Sequence, residues 1–184
     1  MPGFGGAARR IVGAAAFADL KRRFPTGYVD PVYGLTAEEM MALAIYTSIS
    51  GHHLRINRSL WERRKDSPAR MVSRALAGAL GKLPRHPGLC FRSVDPAGGP
   101  EQARKDYAVG STVSWPAFTS TSVNIADCPA RSVLFVIRSE TGRILRYVSE
   151  MPDEREVLFA PATAFDILGQ AEAGGRLIVE MAEV

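Results

Sequence analysis

The hydrophobic period of this chain changes once, and the change falls at KLPRHPG, residues 82 to 88. Upstream, LTAEEMMALAIYTSI repeats its apolar residues at helical spacing, and Thr36 with Glu39 has the spacing of a capping box. A second helix is predicted from His53 to Lys65. A third begins at Ser67-Pro68, with serine as N-cap and proline at the first helical position, and ends by Gly81. Downstream, LCFRSV, AFTSTSV, SVLFVIR, EVLFA, AFDIL and RLIVEMA are short, apolar and often β-branched, with Gly, Pro or Asp between them. PEQARKDYAVGS adds a short helix between the first two strands. Helices first and mostly antiparallel strands second predict an α+β domain.

The 184 residues, 46% hydrophobic and 23% charged, suit one globular domain with a sizeable core. No apolar run approaches the roughly 18 residues of a membrane span. At the start, Arg9 and Arg10 precede an apolar stretch in the manner of a leader peptide. Asp19 interrupts that stretch and Lys21, Arg22 and Arg23 follow, so the expectation is an amphipathic helix at the edge of the domain and no cleavable signal peptide. Cys90 and Cys128 stand far from metal-ligand spacing, and the adjacent His52 and His53 diverge on a helix; no disulfide framework and no metal are expected. The net charge of +4 concentrates in LRINRSLWERRK and around Arg70 and Arg74. Such a face meets nucleic acid or an acidic protein, or is a solvated helix face broken by Glu62 and Asp66.

Three polar clusters interrupt the strand half. Arg92 stands inside LCFRSVD, where a charge needs an anionic partner. Ser120, Thr121 and Ser122 place three hydroxyls on one strand. Glu154 and Glu156 sit two positions apart ahead of VLF, and in an extended chain both carboxylates would face one spot. Taken singly, these are a salt-bridged arginine, strand-compatible hydroxyls and a solvated strand entrance. Together they suit a dinucleotide whose glycosidic bond is broken. A guanidinium forks onto phosphate oxygens, a serine holds a carboxylate, and a carboxylate stabilises an oxocarbenium-like transition state. Tyr46, Trp61, Trp115, Phe118 and Phe159 are expected in the core.

Arginine, then Ser-Thr-Ser, then Glu-x-Glu, in that order on successive strands, resembles the mono-ADP-ribosyltransferase family, in its arginine, serine, glutamate branch of bacterial toxins and animal ecto-enzymes. The helix from LTAEEMM to RSLW, with Tyr46 and Asn57, is similar to that family's N-terminal helical region. Trp115 through FTSTS, and SEMPDEREVLFAPATAFDIL, are similar to its second half. The likeness runs from about Gly34 to Leu168. It implies N-terminal helices packed on a split β-sandwich of two mostly antiparallel sheets, with residues 1–33 as a leading helix and connecting segment, and 34–184 as the catalytic part of a single domain.

The resemblance also implies roles. Glu156 matches the glutamate that grips the nicotinamide ribose, and Ser120 the residue that orients it, with Thr121 and Ser122 bracing the strand. Arg92 matches the arginine that positions the phosphates of NAD, the co-substrate. The backbone of Ser93, often a glycine in the family, matches the position that holds the nicotinamide amide. Glu154 matches the position linked to acceptor choice, where glutamate implies arginine; a guanidinium attacks poorly while protonated and needs a carboxylate to orient it or take its proton. The departures are Met151, where many toxins carry an aromatic residue, and NIADCPAR, short for a loop that closes over NAD. Arg131 in that loop is either a phosphate ligand or a surface arginine.

The activity so implied is transfer of ADP-ribose to a macromolecule, at an arginine of a target protein, by a monomer. NAD hydrolysis, transfer to nucleic acid and non-catalytic binding of a partner remain as alternatives. The Ala, Gly and Arg bias points to a bacterial source. The family then implies a toxin or effector, secreted or translocated into a target cell, with an immunity protein among its partners.

Overall fold

The computed structural model describes residues 3–64, 68–145 and 155–184, so Ser67, Met151 and Glu154 lie outside the described residues. The chain divides into two compact units that meet in sequence between Leu83 and Pro84, beside the change of period.

The first unit is helical: α1 (Phe4–Val12), α2 (Ala14–Arg23), α3 (Ala37–Thr47), α4 (His52–Trp61) and α5 (Pro68–Lys82). The predicted single N-terminal helix is two. Gly13, at φ 86°, takes a backbone conformation that ends α1 and starts α2. The capping box at the start of α3 is present in full: the Glu39 N–H donates to the Thr36 hydroxyl and the Thr36 N–H donates to the Glu39 carboxylate. Glu39 also pairs with Lys82 at the end of α5, at 2.7 Å, and lies against Gly78. Partial burial pushes the Glu39 carboxyl up, but its bonds to Lys82 and Thr36 outweigh that and hold it below the ordinary value. α5 packs against α1, α3 and α4 through Val72, Leu76 and other small or aliphatic side chains. Trp61 departs from its predicted place: it is 59% exposed, at the end of α4.

The second unit holds the strands β1 (Gly88–Val94), β2 (Thr112–Trp115), β3 (Thr119–Ser122), β4 (Val133–Ser139), β5 (Arg143–Ile144), β6 (Glu156–Phe159), β7 (Thr163–Ala173) and β8 (Arg176–Glu183), with α6 (Gly99–Asp106) between the first two. They hydrogen-bond in the order β2-β7-β8-β4-β1-β3-β6-β5. Among the described pairings β4–β8 is parallel and the others antiparallel. The ladder is continuous, yet it behaves as a split sandwich. β7 and β6 are five places apart in that order, which a flat sheet would make about 24 Å. Phe165 and Phe159, one on each, have ring centroids 5.2 Å apart. The sheet therefore doubles back and encloses a core of Trp115, Phe135, Ile137, Phe159, Phe165, Val179 and Met181. The fold occurs where β1 leaves β3: β1 pairs with β4 along seven residues but with β3 only at Phe91 and Ser122.

β2 and β5 were not foreseen. They span four and two residues, with no apolar alternation long enough to read. β7 runs past AFDIL into a hairpin whose Gly174 and Gly175, at φ 58° and 72°, allow a two-residue turn matching the twist of the strands. The turn between β4 and β5 is tied to β8 by Glu183, whose carboxylate accepts the backbone N–H groups of Glu140 and Thr141.

Three substitutions test this packing. Thr36→Ala removes the cap and is expected to cost about 1 kcal/mol in urea unfolding. Because the folded Glu39 value is depressed, its contribution is present above its ordinary value and lost as pH falls through the folded value; Glu39→Gln should therefore lose less stability on acidification than the parent. A Cβ on Gly142 would stand 2.6 Å from the Ser139 hydroxyl and 2.7 Å from Val157, so Gly142→Ala should cost about 1–3 kcal/mol, read the same way.

Candidate active site

The place where β1 and β3 part is a cavity. About 270 Å³ of it is accessible, lined by residues of β1, β3 and β6 and by the segment Asp127–Pro129. On β3 the side chains alternate. Thr119 and Thr121 turn inward and are buried, while Ser120 and Ser122 share the opposite face. Across the β3–β6 pairing Ser122 stands opposite Glu156 and Ser120 opposite Leu158, which puts Glu156 diagonal to Ser120 on that same face. The Ser120 hydroxyl donates to the Glu156 carboxylate. Arg92, from β1, donates to the Ser120 carbonyl at 2.8 Å. Three clusters spaced over 65 residues of sequence are thus joined by two hydrogen bonds.

The remaining predicted residues have defined places. The Thr121 hydroxyl donates to the Val157 carbonyl at 2.8 Å and braces β3 on β6. The Ser122 hydroxyl donates to Asp127 at 3.2 Å and accepts from the Asn124 N–H. Ser93, which departs from the family's glycine, donates its hydroxyl to the Pro129 carbonyl at 2.7 Å. β6 begins at Glu156, and Arg155 just ahead of it has φ 45°; the expected common direction of the two carboxylates falls on Glu154, outside the described residues. The Arg155 carbonyl accepts from the Val123 N–H at 3.4 Å.

The segment NIADCPAR, expected to be short for a loop that closes over NAD, walls the cavity with Asp127, Cys128 and Pro129, which the sequence did not single out one by one. A signal was present in Asn124, whose side chain accepts the Ala126 N–H and caps the short 3-10 turn Ile125–Asp127. The wall is fastened at its far end. Asp95 accepts both the N–H and the hydroxyl of Ser132 and pairs with Arg131 at 2.9 Å, and Arg176 donates to the Arg131 carbonyl at 2.8 Å. Those bonds from Ser132, and then the Arg131 guanidinium, hold the Asp95 carboxyl below its usual range. Burial pushes the Cys128 thiol up, against the pull of Arg176 and Arg92, so at neutral pH it is a thiol and not a nucleophilic thiolate.

Comparison with known proteins agrees with the geometry. The family model for NAD:arginine ADP-ribosyltransferase matches residues 14–184. The chain belongs to that family. It is 33% identical over 159 residues to the putative NAD(+)–arginine ADP-ribosyltransferase Mav of Mycobacterium avium, and 31% identical over 146 residues to the NAD(+)–protein-arginine ADP-ribosyltransferase Tre1 of Serratia proteamaculans. Those matches cover 83% and 77% of this chain but 19% and 31% of the relatives, so the chain spans less than a third of either. Among solved structures, the ADP-ribosyltransferase HopU1 of Pseudomonas syringae superposes with a TM-score of 0.72 at 17% identity, over 98% of this chain and 95% of that one, which establishes the fold.

The Thr121 hydroxyl, bonded to the Val157 carbonyl, and the Ser120 hydroxyl, bonded to Glu156, should separate on mutation. Thr121→Val removes a buried hydrogen bond and should lower stability by about 1–2 kcal/mol while leaving NAD turnover near the parent's. Ser120→Ala should leave the melting temperature nearly unchanged and reduce turnover at least tenfold, since Glu156 loses the group that points it. Steady-state nicotinamide release and thermal melts on both variants read the difference.

Proposed function

We propose that this chain is an NAD-dependent mono-ADP-ribosyltransferase that moves ADP-ribose to an arginine of a macromolecule and releases nicotinamide, with residues 34–184 as the catalytic part. One observation carries the reading: Arg92, Ser120 and Glu156, distant in sequence, form one hydrogen-bonded line along a cavity wall. The family match and the names of the relatives support it.

In this reading the Arg92 guanidinium binds NAD phosphate oxygens, and the Ser93 backbone holds the nicotinamide amide. The bond between the ribose C1′ and the nicotinamide nitrogen breaks, and its electron pair leaves with nicotinamide. Positive charge then develops on the ribose, next to the Glu156 carboxylate that Ser120 keeps aimed. A preset carboxylate stabilises that charge without reorganising during the step. The acceptor guanidinium nitrogen bonds to C1′ and gives up one proton. Glu154 takes that proton, a role that follows from its place in the sequence. The cavity, at about 270 Å³, falls just below the ~300–1,000 Å³ range for ligand pockets, in keeping with a grip on one end of a dinucleotide. The type III effectors among the solved structures of this fold, and the protein-arginine specificity in the name of one relative, support a chain that acts after delivery into another cell on a protein target; in this reading it works as a monomer, with an immunity protein as its antagonist.

Three variants test this. Glu156→Gln should lose about 10²-fold or more in NAD consumption without unfolding. Arg92→Lys keeps the charge but not the planar fork, and should shrink the rise in melting temperature on titration with NAD; an unchanged rise would mean Arg92 is structural. Glu154→Gln cannot act as a base, so it should lose transfer to agmatine yet keep much of its nicotinamide release, because water needs less help once the oxocarbenium ion has formed. Undiminished transfer to agmatine by Glu154→Gln would remove the arginine assignment.

A further inference from the structure

Helix α4 carries an exposed stripe that the catalytic reading does not use. Leu54, Arg58 and Trp61 are four and three residues apart, so they lie along one face, and that face looks away from the buried Ile56 and Ser59. Leu54 is 67% exposed and Trp61 59%. Beside the stripe, Arg55, Arg58 and Arg64 line a recess of about 410 Å³, together with Ser59, Glu62, Pro68 and Ala69. Glu62 is shared between Arg58 and Arg64, while Arg55 donates to the Arg10 carbonyl at 2.9 Å, so three guanidiniums line the recess with one carboxylate and its described lining is cationic. Large apolar side chains held in water next to surplus arginines are the usual composition of an interface centre, where Trp and Arg contribute most.

We propose that this stripe and recess dock the protein acceptor, through a segment that offers carboxylates to the arginines and aliphatic side chains to Leu54 and Trp61. The inference rests on the transferase reading. A guanidinium is present on every protein surface, so choosing one acceptor requires contacts away from the reacting atom. An aliphatic anchor such as Leu54 gains nothing from stacked bases, which favours an acidic protein segment over nucleic acid.

The test compares the parent with Leu54→Ser/Trp61→Ala and with Arg58→Glu, using labelled NAD with two acceptors: agmatine, and the proteins of a cell lysate treated with nuclease. Both variants should modify agmatine within about twofold of the parent, and should label protein at least tenfold less at limiting enzyme. Undiminished protein labelling overturns the docking surface, as does equal loss on agmatine in a variant that still melts like the parent. Label that appears only when nuclease is omitted also overturns it and assigns the face to nucleic acid. A parent that never modifies agmatine overturns the transferase reading instead. The surface is then judged by the part of the tryptophan emission that Trp61→Ala lacks, on titration with a synthetic Leu/Glu peptide. A shift lost in Arg58→Glu and absent with a Leu/Lys peptide supports an acidic partner, and no shift overturns it.

Discussion

Everything at the candidate site depends on β1 having two neighbours that it cannot follow at once. Along β4 it keeps register for seven residues; along β3 it keeps one pair, Phe91 with Ser122. Strands twist, and a sheet that must close over an aromatic core has to bend sharply at one seam. Here the seam is β1 against β3, and the ladder hydrogen bonds that it forgoes are replaced by side chains. Arg92 donates to the Ser120 carbonyl that a fully paired neighbour strand would otherwise engage. A residue that completes the backbone's hydrogen bonding at the split is therefore also the cation at the mouth of the cavity.

The same seam explains why polar residues tolerate this depth. Ser120 and Glu156 share a face of the β3–β6 pair that opens on the cavity, while Thr121 and Val157 on the other face belong to the packed interior. Thr121 keeps its hydroxyl buried by giving it to the Val157 carbonyl. Alternation thus separates two neighbouring hydroxyls into a brace and an orienting group. The wall opposite them is built from turns, and it is fixed by Ser93 on β1, Asp95 just past its end and Arg176 on β8. Serine in place of glycine at position 93 gains a physical account in this setting, because its hydroxyl holds Pro129.

The sequence was legible where a local rule had no competitor. The capping box at Thr36 and Glu39, the six expected strands and the short helix after β1 follow from period and cap chemistry, and they occur within a few residues of expectation. The triad was legible through its order and its likeness to a known family, not through any single motif. Trp61 shows where local reasoning stops: its type predicts burial, but the face of α4 that turns inward is set by Ile56 and Ser59.

By itself, then, the sequence determined the class of fold and the order of the elements, since propensity, capping and strand alternation act over a few residues. Only the tertiary structure decided that the ladder doubles back, that β1 and β3 separate, and that Arg92, Ser120 and Glu156 meet at that separation. The rings of Phe159 and Phe165 touch although the hydrogen-bonded order places their strands five apart. A sheet bends there to bury its aromatic face, and that burial is a property of the whole core, which no window of a few residues contains.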